Sequence, residues 1–291
     1  DNRFALGTAM SAGTLGIVIP PSIPMIVYGL VTETSITDLF MAGVGPGVLI
    51  LIVMSVYAMI VCRHMPTQRF ELAELGTALR EGLWAMVMPV ILLGGIYSGY
   101  FTATEAAAVA LVYAVFIEIF VHRELAVADL YHVVLEQSKL GGSLFPVLAV
   151  ALSLNIVLIE HRVPSMMVDF MQGWISSPLM FMLLVNALLL VVGCLMTTNE
   201  AILILAPLLA PVAEAYGISK VAFGIVMILN LEIGFLTPPV GLNLIVAMSA
   251  FKQPFGLLVK AAVPFIVILV ACLAMVIWQP WIAMALVNMK R

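Results

Sequence analysis

The chain has 291 residues, of which 64% are hydrophobic and only 10% are charged, and its formal net charge is −4. Soluble domains carry about 25% charged residues, and a soluble core of this size could not absorb so much apolar side chain. The values predict a multi-pass membrane protein and exclude a nucleic-acid-binding protein. The three cysteines lie far apart in or beside apolar segments, which also excludes a disulfide-stapled scaffold.

Long stretches without charged residues predict the membrane spans, because a helix needs about 20 apolar residues to cross the hydrocarbon. The short connections contain amphipathic stretches that are typical of interfacial helices, at 69–81, 124–139 and 160–176. In chain order, the predicted spans are 4–32, 39–62, 82–104, 106–117 (extended to 121 if Glu118 is tolerated), 140–159, 173–199, 233–251 and 261–289.

Two of these segments are predicted to break in the middle, because each contains two consecutive prolines. Pro20-Pro21 and Pro238-Pro239 each remove two backbone donors and push the preceding residue out of the helical region. Gly16 and Gly234 stand at equivalent places before them, so the two breaks follow one pattern at an offset of 218.

The same offset of 218 places Pro46 on Pro264, and three proline matches at one offset indicate an internal repeat. Between its halves we expect a re-entrant hairpin, in which the apolar arms 178–194 and 201–213 flank the polar tip 197–200. Each arm is predicted to be too short to span, so the second broken segment runs opposite to the first. Inverted repeats of this kind are common in secondary transporters.

Basic residues predict the orientation of the repeat. Eight lie on the side from which the first broken segment starts, against four on the other, which places the first side in the cytoplasm. An inverted repeat also predicts a second hairpin upstream of residue 1, so we expect the sequence to lack half of its first repeat.

A broken helix exposes carbonyls on one half and N–H groups on the other, and these survive in hydrocarbon only against protein, water or an ion. Carbonyls and hydroxyls at a bend suit Na⁺, whereas half-helix N-termini favour an anion. The alternative is that each Pro-Pro pair merely kinks a packed span. The candidate oxygen ligands are the carbonyls around Gly13, Gly16, Ile19, Gly234 and Thr237 and the side chains of Thr14, Thr197, Thr198, Asn199 and Thr237.

Three carboxylates have competing interpretations. Glu200 at the hairpin tip and Glu232 before the second break are candidates for proton coupling; the alternatives are a water-exposed tip charge and a paired structural carboxylate. Glu105 follows Thr102 at capping-box spacing and predicts a helix start. The chain contains no Walker A motif, no Gly-x-Ser-x-Gly motif and no metal-ligand cluster, so we expect neither an enzyme nor an ATP-driven motor within it.

Several motifs resemble the large membrane subunit of TRAP (tripartite ATP-independent periplasmic) transporters. They include Gly13-Thr-Leu-Gly-Ile-Val-Ile-Pro-Pro21, Phe101-Thr-Ala-Thr-Glu105, Ala201-Ile-Leu-Ile-Leu-Ala-Pro207 and Gly234-Phe-Leu-Thr-Pro-Pro-Val-Gly241. The resemblance covers essentially the whole chain. It implies an all-α, inverted-repeat elevator transporter with discontinuous helices and a re-entrant hairpin, located in the bacterial inner membrane.

The same resemblance implies function and partners. It implies import of a small organic anion (a sialic acid, a C4-dicarboxylate or a sulfonate) coupled to two or more Na⁺ ions. A small membrane subunit, either fused or a separate chain, would brace the protein in the lipid bilayer, and a periplasmic binding protein would deliver the substrate. The alternatives are proton coupling through Glu200 or Glu232, and a membrane scaffold that transports nothing.

Site residues carried over from the resemblance fall into three groups. The first Na⁺ site would use Gly13, Thr14, Gly16 and Ile19, and the second would use Thr197, Thr198, Asn199, Gly234, Thr237 and Gly241. Substrate would contact Pro20, Ser22, Thr198, Asn199, Pro238 and Asn243. The chain departs from the family pattern at Thr197, where an acidic residue is common, and at Glu200, where a small residue or proline is common.

These interpretations divide the chain into five parts. The predicted transport (elevator) domain combines the first discontinuous helix, the hairpin and the second discontinuous helix. In chain order, the parts are 1–32 (first discontinuous helix), 33–139 (scaffold-type helices), 140–177 (a span and an interfacial helix), 178–251 (hairpin and second discontinuous helix) and 252–291 (C-terminal span).

Overall fold

The computed structural model describes residues 2–64 and 72–290, which form thirteen α-helices and a π-helical turn with no strand among them. This confirms the predicted all-α fold. In chain order the helices are α1 (Asn2–Val18), α2 (Ile23–Thr32), α3 (Ile36–Val61), α4 (Leu72–Tyr97), α5 (Ala103–Phe116), α6 (Val127–Glu160), α7 (Val163–Trp174), α8 (Pro178–Leu195), α9 (Thr198–Ala215), α10 (Lys220–Phe235), α11 (Leu242–Phe251), α12 (Phe255–Trp278) and α13 (Trp281–Lys290). The π-helical turn Ile117–His122 continues α5.

Helices that could span a membrane occur along most of the described chain. Six helical segments of the described residues are long and apolar enough to cross a bilayer, and two further bent helix pairs raise the number to eight if each is one span. The six are Asn2–Thr32, Ile36–Val61, Ala103–His122, Pro178–Leu195, Thr198–Ala215 and Phe255–Trp278.

Helix boundaries repeat at the offset found in the sequence. Adding 218 to the bounds of α1, α2 and α3 gives 220–236, 241–250 and 254–279, which match α10, α11 and α12 to within one residue. Both broken segments separate at their Pro-Pro pairs, and both Pro-Pro peptide bonds are cis. The internal repeat is therefore confirmed at the level of secondary structure.

Three predicted boundaries are wrong. The span 82–104 ends earlier, at Tyr97, because a turn with Gly99 at φ +78° and the cap residue Thr102 separate α4 from α5. The span 261–289 consists of α12 and α13, which separate at Gln279-Pro280, where Gln279 precedes a proline and lies outside the helical region at φ −120° and ψ 79°. The amphipathic stretch 124–139 and the span 140–159 are parts of the single helix α6. Part of the predicted stretch 69–81 lies outside the described residues.

Both arms of the hairpin are longer than the sequence predicts. The helices α8 and α9 have 18 residues each, because Thr198 and Glu200 already belong to α9 and the helix continues through two prolines to Ala215. At 1.5 Å per residue each arm is about 27 Å long, close to the hydrocarbon thickness of about 30 Å. The expectation that the arms are too short to span is therefore wrong.

The chain divides into two compact units. Residues 62–150 form one of them, in which the Tyr113 hydroxyl donates to the Trp84 carbonyl at 2.8 Å. Residues 1–61 and 151–291 form the other, which contains both broken segments and the hairpin.

In the larger unit α10 is the central helix, and every residue from Val221 to Phe235 is buried. It packs against both hairpin arms, α8 and α9, and also against α3 and α12. After its first residue, Lys220, the sequence of α10 is apolar on all sides except at Asn230 and Glu232, which fits a helix surrounded by other helices.

An amide pair joins α10 to the first hairpin arm. Asn230 donates through Nδ2 to the backbone carbonyl of Asn186 at 3.2 Å and also to the Asn186 side-chain oxygen. The Nδ2 of Asn186 donates to the Met182 carbonyl at 2.6 Å. Both asparagines are buried, so these bonds fix the register of α8 against α10.

Candidate substrate and ion site

At the first break, the C-terminal end of α1 has backbone carbonyls without helical hydrogen-bond donors. In an α-helix each carbonyl accepts from the N–H four residues later. For Gly16 and Ile17 those positions are Pro20 and Pro21, which have no N–H. The C-terminal end of α1 therefore presents two carbonyl oxygens without helical donors, and it carries the negative end of the helix dipole.

The helix α9 begins at the hairpin tip, where a capping box stabilises its first turn. The Thr197 hydroxyl accepts from the Glu200 N–H at 3.4 Å, and the Glu200 carboxylate accepts from the Thr197 N–H at 3.1 Å. Thr102 and Glu105 cap α5 in the same way, as the sequence predicts. The capping role of Glu200 was missed, although Thr197-Thr-Asn-Glu200 has the same spacing as Thr102-Ala-Thr-Glu105.

A cavity lies between the first break and the hairpin tip. Its volume is about 340 Å³. The end of α1, the starts of α2 and α9, and the last turn of α10 form its walls. The lining residues are Gly16, Ile17, Pro21, Ser22, Ile23, Pro24, Thr197, Thr198, Asn199, Glu232 and Phe235.

Three side-chain oxygens of this lining have no hydrogen-bond partner among the described residues. They are Ser22 Oγ, Asn199 Oδ1 and Glu232 Oε2. Ser22 is 3% exposed and Glu232 is fully buried at 0%. The other carboxylate oxygen of Glu232 accepts from the Thr198 hydroxyl at 2.7 Å. Unsatisfied buried oxygens are costly, so a cavity that gathers three of them is suited to a polar ligand.

The two kinds of helix end give the cavity opposite local charges. The carbonyl end of α1 and the Glu232 carboxylate favour a cation. The first turns of α2 and α9 leave the N–H groups of Ile23, Thr198 and Asn199 without helical acceptors, and these favour an anionic group. A cation and an organic anion can thus be held side by side in one space.

The second break lies next to the other side of the hairpin. The Gly241 N–H donates to the Cys194 carbonyl at 3.3 Å, which joins the start of α11 to the end of α8. Thr237 donates its hydroxyl to the Ile233 carbonyl at 2.8 Å. Gly234 packs its backbone against Gly193 of α8, so it also has a packing role that the sequence did not predict.

The predicted site residues thus fall into two sets in the structure. Gly16, Ser22, Thr197, Thr198 and Asn199 line the cavity. The remaining predicted residues lie outside this lining in the described part of the chain: Gly13, Thr14, Ile19, Pro20, Gly234, Thr237, Pro238, Gly241 and Asn243.

Several of this second set have identifiable local contacts. Thr14 is buried and donates its hydroxyl to the Met10 carbonyl at 3.5 Å. Ile19 packs beside Gly47 of α3, where a Cβ atom on the glycine would lie 2.8 Å from Ile19 Cγ1. A Cβ atom on Gly13 would meet no atom within 4 Å, so the surface of α1 is open there.

Two interrupted helices and a cavity at a hairpin tip, in an all-helical membrane protein, are typical of the class of membrane transport proteins. The protein-family model for the DctM component of tripartite ATP-independent periplasmic transporters matches residues 1–282, and the chain belongs to this family. The resemblance found in the motifs is therefore confirmed, and the chain is a transport component of the inner membrane, not an enzyme.

Three relatives illustrate the family. The C4-dicarboxylate TRAP transporter large permease protein DctM of Pseudomonas aeruginosa is 43% identical over 98% of this chain and 67% of its own length. The isethionate TRAP transporter permease protein DctMQ of Oleidesulfovibrio alaskensis is 36% identical over 97% of this chain and 45% of its own length. The sialic acid TRAP transporter large permease protein SiaM of Vibrio cholerae is 35% identical over 94% of this chain and 65% of its own length.

Proposed function

We propose that the chain imports a small organic anion in symport with Na⁺. The cavity carries this proposal, because it combines carbonyl and side-chain oxygens for a cation with helix N-termini for an anion. Two or more Na⁺ ions would compensate the charge of a carboxylate or sulfonate.

The substrate class is narrowed by the relatives. A C4-dicarboxylate is the first candidate, since the relative with 43% identity is a C4-dicarboxylate permease. A sulfonate and a sialic acid follow, on the basis of the relatives at 36% and 35% identity. All three carry an anionic group that can accept from the N–H groups at the starts of α2 and α9.

The transport domain is proposed to contain residues 1–32 and 178–251, with scaffold helices in 33–139. The contacts of α9 with α2, and of α10 with α8 and α9, support the grouping of the first two ranges. In this arrangement the transport domain moves as an elevator and carries the cavity across the membrane.

The partners follow from the tripartite organisation of the family. A periplasmic binding protein delivers the substrate, and a small membrane subunit supports this chain in the bilayer. The subunit is either a separate chain or fused to this one, as the name DctMQ indicates for the relative in Oleidesulfovibrio alaskensis.

Reconstitution of the complete transporter in proteoliposomes, with its binding protein, tests the proposal. Uptake of labelled C4-dicarboxylate is measured with an inward Na⁺ gradient and with choline in place of Na⁺ at equal ionic strength. We expect uptake only with Na⁺. Equal uptake in choline would contradict Na⁺ coupling, and no uptake of any small anion would favour the scaffold alternative.

Proton coupling is the second candidate, and the burial of Glu232 is the observation that favours it. Glu232 is buried in the cavity wall, and the described residues of that wall include no cationic side chain. A proton gradient imposed without Na⁺ separates the two mechanisms. Uptake under that condition would show that H⁺ and not Na⁺ is the coupling ion.

A further inference from the structure

Among the described residues that line the cavity between the first break and the hairpin tip, Glu232 is the only carboxylate. It is fully buried on α10, the helix that other helices surround on all sides. Thr198 satisfies its Oε1 atom at 2.7 Å, whereas Oε2 has no hydrogen-bond partner among the described residues. Burying an ionised carboxylate is expensive unless a counter-charge accompanies it.

The walls of the cavity do not supply that counter-charge. The described lining contains no Lys, Arg or His, and the neighbours of Glu232 along α10 are apolar apart from Asn230. Asn230 is itself engaged with Asn186. We therefore expect a cation that binds in the cavity to supply the positive charge.

The other free oxygens around the cavity are of a kind that suits a hard cation. Ser22 Oγ and Asn199 Oδ1 lack partners, and the carbonyls of Gly16 and Ile17 lack helical donors. Oxygen donors of this type, with one carboxylate among them, are the ligands that hard cations prefer.

We propose that the Glu232 carboxylate is a direct ligand of a coupling cation, together with Ser22 Oγ and Asn199 Oδ1. This inference rests on the proposed Na⁺-coupled function and adds a charged ligand outside both ion sites that the family resemblance implies. It also sets the order of binding. An organic anion beside a bare buried carboxylate is repelled, so the cation binds first and the anion follows.

The test measures Na⁺ binding without transport. The thermal unfolding midpoint of the purified complete transporter is followed as NaCl replaces choline chloride at constant ionic strength, since a ligand that binds only the folded state raises the midpoint. Glu232→Gln keeps the size of the side chain and an acceptor for Thr198 but removes the charge. We expect the half-saturating Na⁺ concentration to rise at least about tenfold, since the loss of one charged ligand lowers the affinity for a cation by on the order of tenfold.

Two matched pairs of variants control for structural effects. Glu105→Gln changes a capping carboxylate remote in sequence and is expected to leave the Na⁺ titration unchanged. Ser22→Ala is paired with Ser11→Ala, because both serines are buried with partnerless hydroxyls but only Ser22 lines the cavity. We expect a several-fold rise in half-saturating Na⁺ for Ser22→Ala and none for Ser11→Ala.

Each outcome is decisive. An unchanged Na⁺ titration in Glu232→Gln would overturn the proposal, as would a loss of substrate affinity at saturating Na⁺ with no change in Na⁺ affinity. Should Glu232→Gln fail to fold, Glu232→Asp and Ser22→Ala carry the test, and unchanged titrations in both would overturn it. If the wild type shows neither Na⁺ stabilisation nor Na⁺-dependent uptake, the proposed function itself fails.

Discussion

Gly193 of α8 and Gly234 of α10 meet backbone to backbone. A Cβ atom added to Gly234 would lie 2.6 Å from the Cα and the carbonyl carbon of Gly193, and one added to Gly193 would lie 2.8 Å from the Leu231 carbonyl oxygen. Only glycine permits this approach. The contact fixes the first hairpin arm to the central helix just before the second break.

This contact predicts that Gly234→Ala destabilises the protein. A methyl group in a backbone contact forces the helices apart, and overpacking of this kind costs about 1–3 kcal/mol. A lowered thermal unfolding midpoint in detergent would show it. Gly256→Ala is the matched control, because nothing lies within 4 Å of its Cβ position; equal midpoints for the two variants would contradict the packing role.

The capping box at the hairpin tip makes a second prediction. Thr197→Ala is expected to lower the unfolding midpoint, because loss of an N-cap hydroxyl costs about 0.5–2 kcal/mol. Glu200→Gln keeps an acceptor for the Thr197 N–H, so we expect near-normal uptake with an unchanged pH profile. A flattened pH profile in Glu200→Gln would instead assign Glu200 to proton coupling.

The second break makes a prediction about ion affinity. Thr237→Val keeps the shape of the side chain but removes the hydroxyl that donates to the Ile233 carbonyl and has lone pairs free for an ion. We expect the Na⁺ concentration for half-maximal uptake to rise, and Thr237→Ser to restore it. An unaltered Na⁺ dependence in Thr237→Val would remove Thr237 from the site.

The buried amide pair makes a prediction about non-additivity. Asn230→Leu alone leaves the side-chain oxygen of Asn186 without its donor, and an unsatisfied buried polar group costs about 1–3 kcal/mol. The double variant Asn186→Leu/Asn230→Leu removes both partners. We expect its unfolding midpoint to lie above the value predicted by adding the two single effects. Simple additivity would mean that the pair does not couple α8 to α10.

The sequence predicted features that local chemistry determines. Pro20-Pro21 and Pro238-Pro239 break their helices where the missing donors require it, and Thr102 caps α5 as its spacing indicates. The boundary between α12 and α13 at Pro280 is not predicted, because spans are assigned from runs of residues without charge and a single proline does not interrupt such a run.

The cavity could be predicted only in part, because it depends on residues far apart in the sequence. Ser22 and Asn199 were placed in the site from broken-helix chemistry and family resemblance. That Glu232 lines the same space, with Thr198 as its partner, depends on the packing of α9 against α10. No local sequence pattern indicates that packing, so the sequence leaves Glu232 with two interpretations, a candidate for proton coupling and a paired structural carboxylate.

The walls of the cavity have a consequence for leakage. If only the cation or only the anion is bound, either the N-terminal helix ends or the carbonyl end with its carboxylate remains unsatisfied. Moving such a half-filled cavity through hydrocarbon carries a desolvation cost of several kcal/mol for each exposed polar group. Under the proposed Na⁺ symport, the fully loaded cavity would cross the membrane at a lower free-energy cost than either partly loaded form. The broken helices would then disfavour the passage of ions without the substrate.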